Sequence, residues 1–98
     1  MTEEELREVF EDSEDEFGEF SKIENPPSKR RDICAFLKLD SLLPSEKVGD
    51  IIGWSEHDEF GLDIDLEELA GVATKDDILY LIRCGVIMGE HDSLTMFA

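Results

Sequence analysis

The sequence predicts an α+β fold: a small antiparallel sheet with one or two packed helices, preceded by an acidic N-terminal helix or arm. Three observations predict it. A helical apolar stripe opens the chain, and a second stripe with a start and a stop signal runs from Thr74 to Gly85. Phe60, Leu62 and Ile64 alternate with Gly61, Asp63 and Asp65, the period-two pattern of a half-buried strand with a wet acidic face. Two short apolar runs, Val86-Ile87-Met88 and Ser93 to Phe97, close the chain around the polar turn Gly89-Glu90-His91-Asp92. With 98 residues the chain has room for one modest core and none for a large catalytic cleft. Apolar residues make up 41%, so the chain should fold although 36% of it is charged.

The pattern divides into an acidic helix or arm over 1–24, a basic Pro-rich linker over 25–31, and an α+β core domain over 32–98. From Met1 to Phe20 ten acidic residues stand against Arg7 alone. Leu6, Val9, Phe10, Phe17 and Phe20 still form a helical stripe. Thr2 with Glu5 makes a capping box, and early acids suit the positive end of a helix dipole, which predicts a helix from Thr2 to about Asp12. The run Glu11-Asp12-Ser13-Glu14-Asp15-Glu16 then piles up like charges that favour fraying. Pro26-Pro27 cannot continue a helix. The basic triplet Lys29-Arg30-Arg31 is expected to clamp the protein's own acidic face.

Asp32 to Leu43 is almost continuously apolar, which fits a buried strand or a helix; its bounds, a basic turn and Pro44-Ser45, favour a strand. Ile51-Ile52-Gly53-Trp54 leads to the alternating strand at Phe60. Leu66 to Ala70 reads as about one helical turn ended by Gly71. Thr74 then caps a helix over Lys75–Arg83, with Asp76 and Asp77 in the first turn, Ile78, Leu81 and Ile82 facing the core, and Gly85 as the stop.

The 26 acidic residues outnumber the 9 basic ones, giving a formal charge of −17 and a pI near 4.2. A field of that sign repels nucleic acid and anionic lipid and steers the chain toward basic surfaces, many of which exist to hold a phosphate backbone. The expected partner is therefore a basic, nucleic-acid-binding protein, with no direct contact to nucleic acid or membrane. Cys34 and Cys84 lie in no CxxC, and no charged-then-apolar leader precedes the acidic start. Both thiols are expected to be free in a cytoplasmic protein.

Catalytic and cofactor signatures are lacking. Ser55-Glu56-His57-Asp58 and Gly89-Glu90-His91-Asp92 share Glu-His-Asp, yet the spacings are not those of a zinc site. Asp63-Ile64-Asp65-Leu66-Glu67 opens like a calcium loop, but Glu68 and Thr74 stand where an EF-hand needs Gly and Glu. No nucleophile elbow or phosphate-cradling loop occurs. The expectation is a non-enzyme with no cofactor and no metal.

Two resemblances attach to particular residues. Leu39-Asp40-Ser41-Leu42 resembles the Asp-Ser-Leu signature of acyl carrier proteins, and Glu59 to Ile64 with Thr74 to Ile82 resembles the second half of that family. This implies Ser41 as a phosphopantetheine site. The interval from Ser41 to Phe60 is longer than in that family, Pro44 and two glycines interrupt its main helix, and the chain runs past Ile82 into a strand. From about Pro26 to Ala98, Arg31-Asp32-Ile33-Cys34-Ala35-Phe36-Leu37, Ser55 to Glu59, Asp77-Ile78 through Val86, and Asp92 to Phe97 look like small reading frames of tailed phages and prophages. That similarity implies a setting and no mechanism.

Together these features predict a phage-type, anti-defence inhibitor that imitates DNA and occupies the basic surface of a host protein. The expected contact residues are Glu11, Asp12, Glu14, Asp15, Glu16 and Phe17 in the arm and Asp58, Glu59, Asp63 and Asp65 on the sheet. The alternatives are an acyl-carrier-like protein using Ser41 and a virion-associated structural protein.

Overall fold

Thr2 starts the first helix, α1 (Glu3–Asp12), in the way its sequence predicts. The Thr2 hydroxyl accepts from the Glu5 amide at 3.1 Å, and the Glu5 carboxylate accepts from the Thr2 amide at 3.0 Å. Each group satisfies a donor that the helix itself leaves unpaired. In this computed structural model, which describes residues 1–43, 50–89 and 93–97, Leu6 and Phe10 turn inward from α1 and join the same core as the sheet. They pack the helix against α3 (Leu66–Val72) and α4 (Lys75–Arg83). The Met1 ammonium donates to the Ala70 carbonyl at 3.1 Å and ties the start of the chain to α3.

After α1 the acidic run does not fray into solvent. It folds into two short 3-10 turns, Glu14–Glu16 and Phe20–Lys22. Between them the Gly18 amide donates to the Ile82 carbonyl at 3.1 Å, anchoring the segment on α4.

The strand expected over Asp32 to Leu43 is instead a helix, α2 (Arg31–Leu42). A strand would bury every second residue, whereas Cys34, Ala35 and Leu39 are buried while Ile33 and Leu37 stay exposed. The exposed apolar residues blur the helical stripe, which is why the run reads as continuous. Lys38 then fastens α2 to α4: its ammonium lies 2.8 Å from Asp77 Oδ1 and 5.0 Å above the Tyr80 ring.

Four strands, β1 (Ile52–Glu56), β2 (Glu59–Leu62), β3 (Val86–Met88) and β4 (Leu94–Phe97), form one antiparallel sheet in the order β1-β2-β4-β3. The pairs Phe60↔Met96 and Val86↔Met96 put these side chains on one face, together with Leu62, Leu94 and Met88. That face meets the helices, and Phe36 of α2 lies 6.2 Å from Phe60 between ring centres. The strand expected to reach Asp65 stops at Leu62. Asp65 instead caps α3, its Oδ1 accepting from Glu67 N at 2.9 Å and Glu68 N at 3.1 Å.

Helix α3 continues through Gly71 to Val72, two residues beyond the expected end at Ala70. For α4 the expectation holds at both ends. Thr74 and Asp77 make a second capping box, and Gly85 follows with φ +97°, a left-handed geometry that ends a helix cheaply only in glycine. The expected turn at Glu90-His91-Asp92 lies outside the described residues.

Candidate functional site

The acids of α1 occupy the face opposite Leu6 and Phe10. Glu4, Glu8 and Glu11 follow at spacings of four and three, so they stand above one another on the helix, all exposed, with Asp12 beside Glu11. Exposed Glu14 and Asp15 continue the acidic surface into the first 3-10 turn. Along α1, Arg7 pairs with Glu3 one turn earlier at 3.9 Å. No basic residue occupies the last turn of α1, where the helix dipole favours a cation, so Glu11 and Asp12 sit at its unfavourable end.

Glu16 departs from this pattern. It is half-buried and accepts from Arg83 Nε at 2.9 Å and from Lys22 Nζ at 3.2 Å. The Arg83 hydrogen bond, then that of Lys22, holds its carboxyl below the ordinary glutamate value. Its charge is thus matched inside the fold and joins the acidic segment to the end of α4. Phe17, 40% exposed, meets Phe97 edge-on with ring centres 6.4 Å apart. With Phe10, Ile82 and Val86 it walls a groove of about 560 Å³, whose rim carries Glu11 and Glu14.

Among the acids expected on the sheet, Asp58 is exposed in the β1–β2 turn and Glu59 begins β2, half-buried. Asp63 and Asp65 lie past the end of β2, both exposed. Asp63 extends the pairing by one bond, its amide donating to the Ile51 carbonyl, while the Asp65 carboxylate is engaged as the α3 cap.

Lys29, Arg30 and Arg31 are exposed, and among the described residues none forms an ion pair. The expected clamp is therefore made by other cations, Lys22 and Arg83 on Glu16 and Lys38 on Asp77. For Asp77, desolvation pushes the carboxyl up, but the bonds from Lys38 and Thr74 together outweigh it and leave the value lowered.

Cys34 and Cys84 are free and buried. Desolvation pushes the Cys84 thiol up to about 12, which leaves it protonated and a poor nucleophile. Ser41 lies in the last turn of α2, exposed, its hydroxyl donating to the Lys38 carbonyl at 2.7 Å. Among the described residues no group of three or more His, Cys, Asp or Glu side chains converges as metal ligands, and no helix is long and apolar enough to cross a membrane.

Sequence reasoning passed over Glu4 and Glu8, which the helix places in the same exposed row as Glu11. It also passed over Trp54, Glu56 and Phe97, which share one sheet face. The period-two signal in Trp54-Ser55-Glu56 was available but is interrupted by a register shift between Ile52 and Trp54. No protein-family model, curated protein or solved structure matches this chain.

Proposed function

We propose that this protein is a non-enzymatic acidic binding protein that occupies a basic, nucleic-acid-binding surface of another protein, acting in the host cytoplasm as a phage-type inhibitor by imitating DNA. The observation that carries this reading is the exposed row Glu4, Glu8 and Glu11 on α1, continued by Glu14 and Asp15. Successive carboxylates separated by four residues rise about 6 Å along a helix, close to two phosphate steps of about 3.4 Å on one DNA strand. Such a row repels itself at neutral pH. A cationic surface relieves that repulsion and gains the release of counterions that any dense anionic row holds. Phe17, exposed beside the row, adds an apolar anchor of the kind that carries much of the energy at protein interfaces.

Displacement tests the reading. The immobilised protein is exposed to bacterial lysate at low salt, and the retained proteins are challenged with duplex DNA or with rising salt. Release of basic nucleic-acid-binding proteins by both challenges is the expected result, and charge reversal of Glu4, Glu8 and Glu11 to Lys abolishes capture. Retention that DNA and salt leave unchanged overturns the reading.

A further inference from the structure

The face of the sheet turned away from the helices carries a second arrangement of acids, this time beside aromatic rings. Register places Trp54, Gly61, Thr95 and Ile87 in one row across that face and Glu56, Glu59 and Phe97 in the next. Trp54, Thr95 and Ile87 of the first row and all three residues of the second line an open concavity of about 720 Å³, into which, among the described residues, no helix residue enters. Phe97, the apolar member of the second row, is 55% exposed, with its ring edge-on to Phe17.

Glu56 and Glu59 are directly opposite each other on paired strands, a position in which like charges destabilise a sheet. Among the described residues neither has an ion-pair partner. Two adjacent carboxylates flanked by two aromatic rings form a receptor for one cationic side chain. The molecule already holds a cation in this way, where Lys38 sits between the Asp77 carboxylate and the Tyr80 ring.

Charge identifies the occupant. A second copy of the chain, an anionic membrane or a nucleic acid each brings negative charge to a protein of net charge −17. A basic protein segment neutralises it. Arginine fits better than lysine, because its planar guanidinium forks onto paired carboxylates and stacks on aromatic faces.

We propose that this sheet face is a docking site for an arginine-bearing segment of a basic protein, with one guanidinium held by Glu56 and Glu59 and seated against Trp54 and Phe97. The site rests on the reading of the chain as a binder of basic proteins and adds to it a contact on the sheet, which meets the α1 surface where Phe97 touches Phe17.

Trp54 is the only tryptophan, so its fluorescence reports this site directly. The full chain is titrated with a capped nonapeptide alternating arginine and threonine, with its lysine counterpart, and with a counterpart in which citrulline replaces arginine. A saturable change in Trp54 emission is expected with the arginine peptide, a weaker response with lysine, and none with citrulline. Glu56→Gln/Glu59→Gln and, separately, Phe97→Ala each weaken binding about tenfold or more. The triple substitution of Glu4, Glu8 and Glu11 to Gln changes it about twofold or less, through the long-range field alone. No saturable change, an equal response to citrulline, or equal weakening by the α1 triple overturns the site. The lysate experiment bears on the α1 row and is read separately, so either idea can fail while the other stands.

Discussion

The indole of Trp54 lies flat over Gly61 of the neighbouring strand, so close that a methyl group at position 61 has nowhere to go. Gly61 is therefore buried beneath an aromatic side chain, beside the buried Thr95 with which it pairs. Replacing it by Ala forces the ring away. The expected outcome is a red-shifted, more quenchable Trp54 emission together with a loss of stability of about 1–3 kcal/mol, the usual range for overpacking. Iodide quenching and thermal melting of Gly61→Ala check it, and an unmoved emission maximum contradicts the packing.

Leu6 has no exposed surface and belongs to the cluster that includes Leu69, Ile78 and Leu81. Leu6→Ala should cost about 2–5 kcal/mol, as truncation of a fully buried leucine does. A cost below about 1 kcal/mol in urea unfolding would mean that α1 packs loosely on the rest of the chain.

Glu16 is more acidic in the folded protein than in the unfolded chain, because Arg83 and Lys22 stabilise its charged form. A depressed folded pKa adds stability that is fully present above the unfolded value, about 4.3, and is lost as pH falls through the folded value. Melting temperatures of the wild type and Glu16→Gln should therefore differ by a constant amount at neutral and mildly acidic pH and converge below about pH 4. Arg83→Met should reproduce the pattern; a gap that is absent at neutral pH, or that does not close on acidification, contradicts a stabilising pair.

Asp12 stands in the last turn of α1 among like charges and against the dipole. Asp12→Lys should raise stability by about 0.3–1 kcal/mol while weakening capture of basic proteins. Loss of stability on this substitution would mean that the carboxylate has a structural duty.

Cys84 is buried, and its thiol is pushed up to about 12. Its reaction with a thiol reagent at pH 8 should follow global unfolding and accelerate with urea in proportion to the unfolded fraction. Rapid labelling in native buffer is the contrary result.

Local signals were the legible part of this protein. Thr2 with Glu5, Thr74 and Gly85 specify helix ends through bonds and backbone angles that involve only near neighbours, so the first capping box, the Thr74 cap and the α4 stop can be read from the chain, while the return bond to Asp77 was added by the structure. The α+β class and the net charge were legible for the same reason. Other features depended on partners distant in sequence. Asp32 to Leu43 is a helix because Cys34, Ala35 and Leu39 find a core on one side, and the exposed Ile33 and Leu37 hide that preference until the core exists. Asp65 resembles a strand acid until α3 begins beneath it.

The candidate sites divide along the same line. Acidity was determined by the sequence alone, since charge is a sum over residues and needs no fold. Which carboxylates remain unmatched was decided by tertiary structure: Arg83, 67 positions from Glu16, neutralises that residue, while Glu4, Glu8 and Glu11 stay exposed on the helix. The pairing of Glu56 with Glu59 beside Trp54 and Phe97 likewise appears only when β1, β2 and β4 come into register. A cation receptor depends on distances between side chains, and only the folded sheet sets those distances.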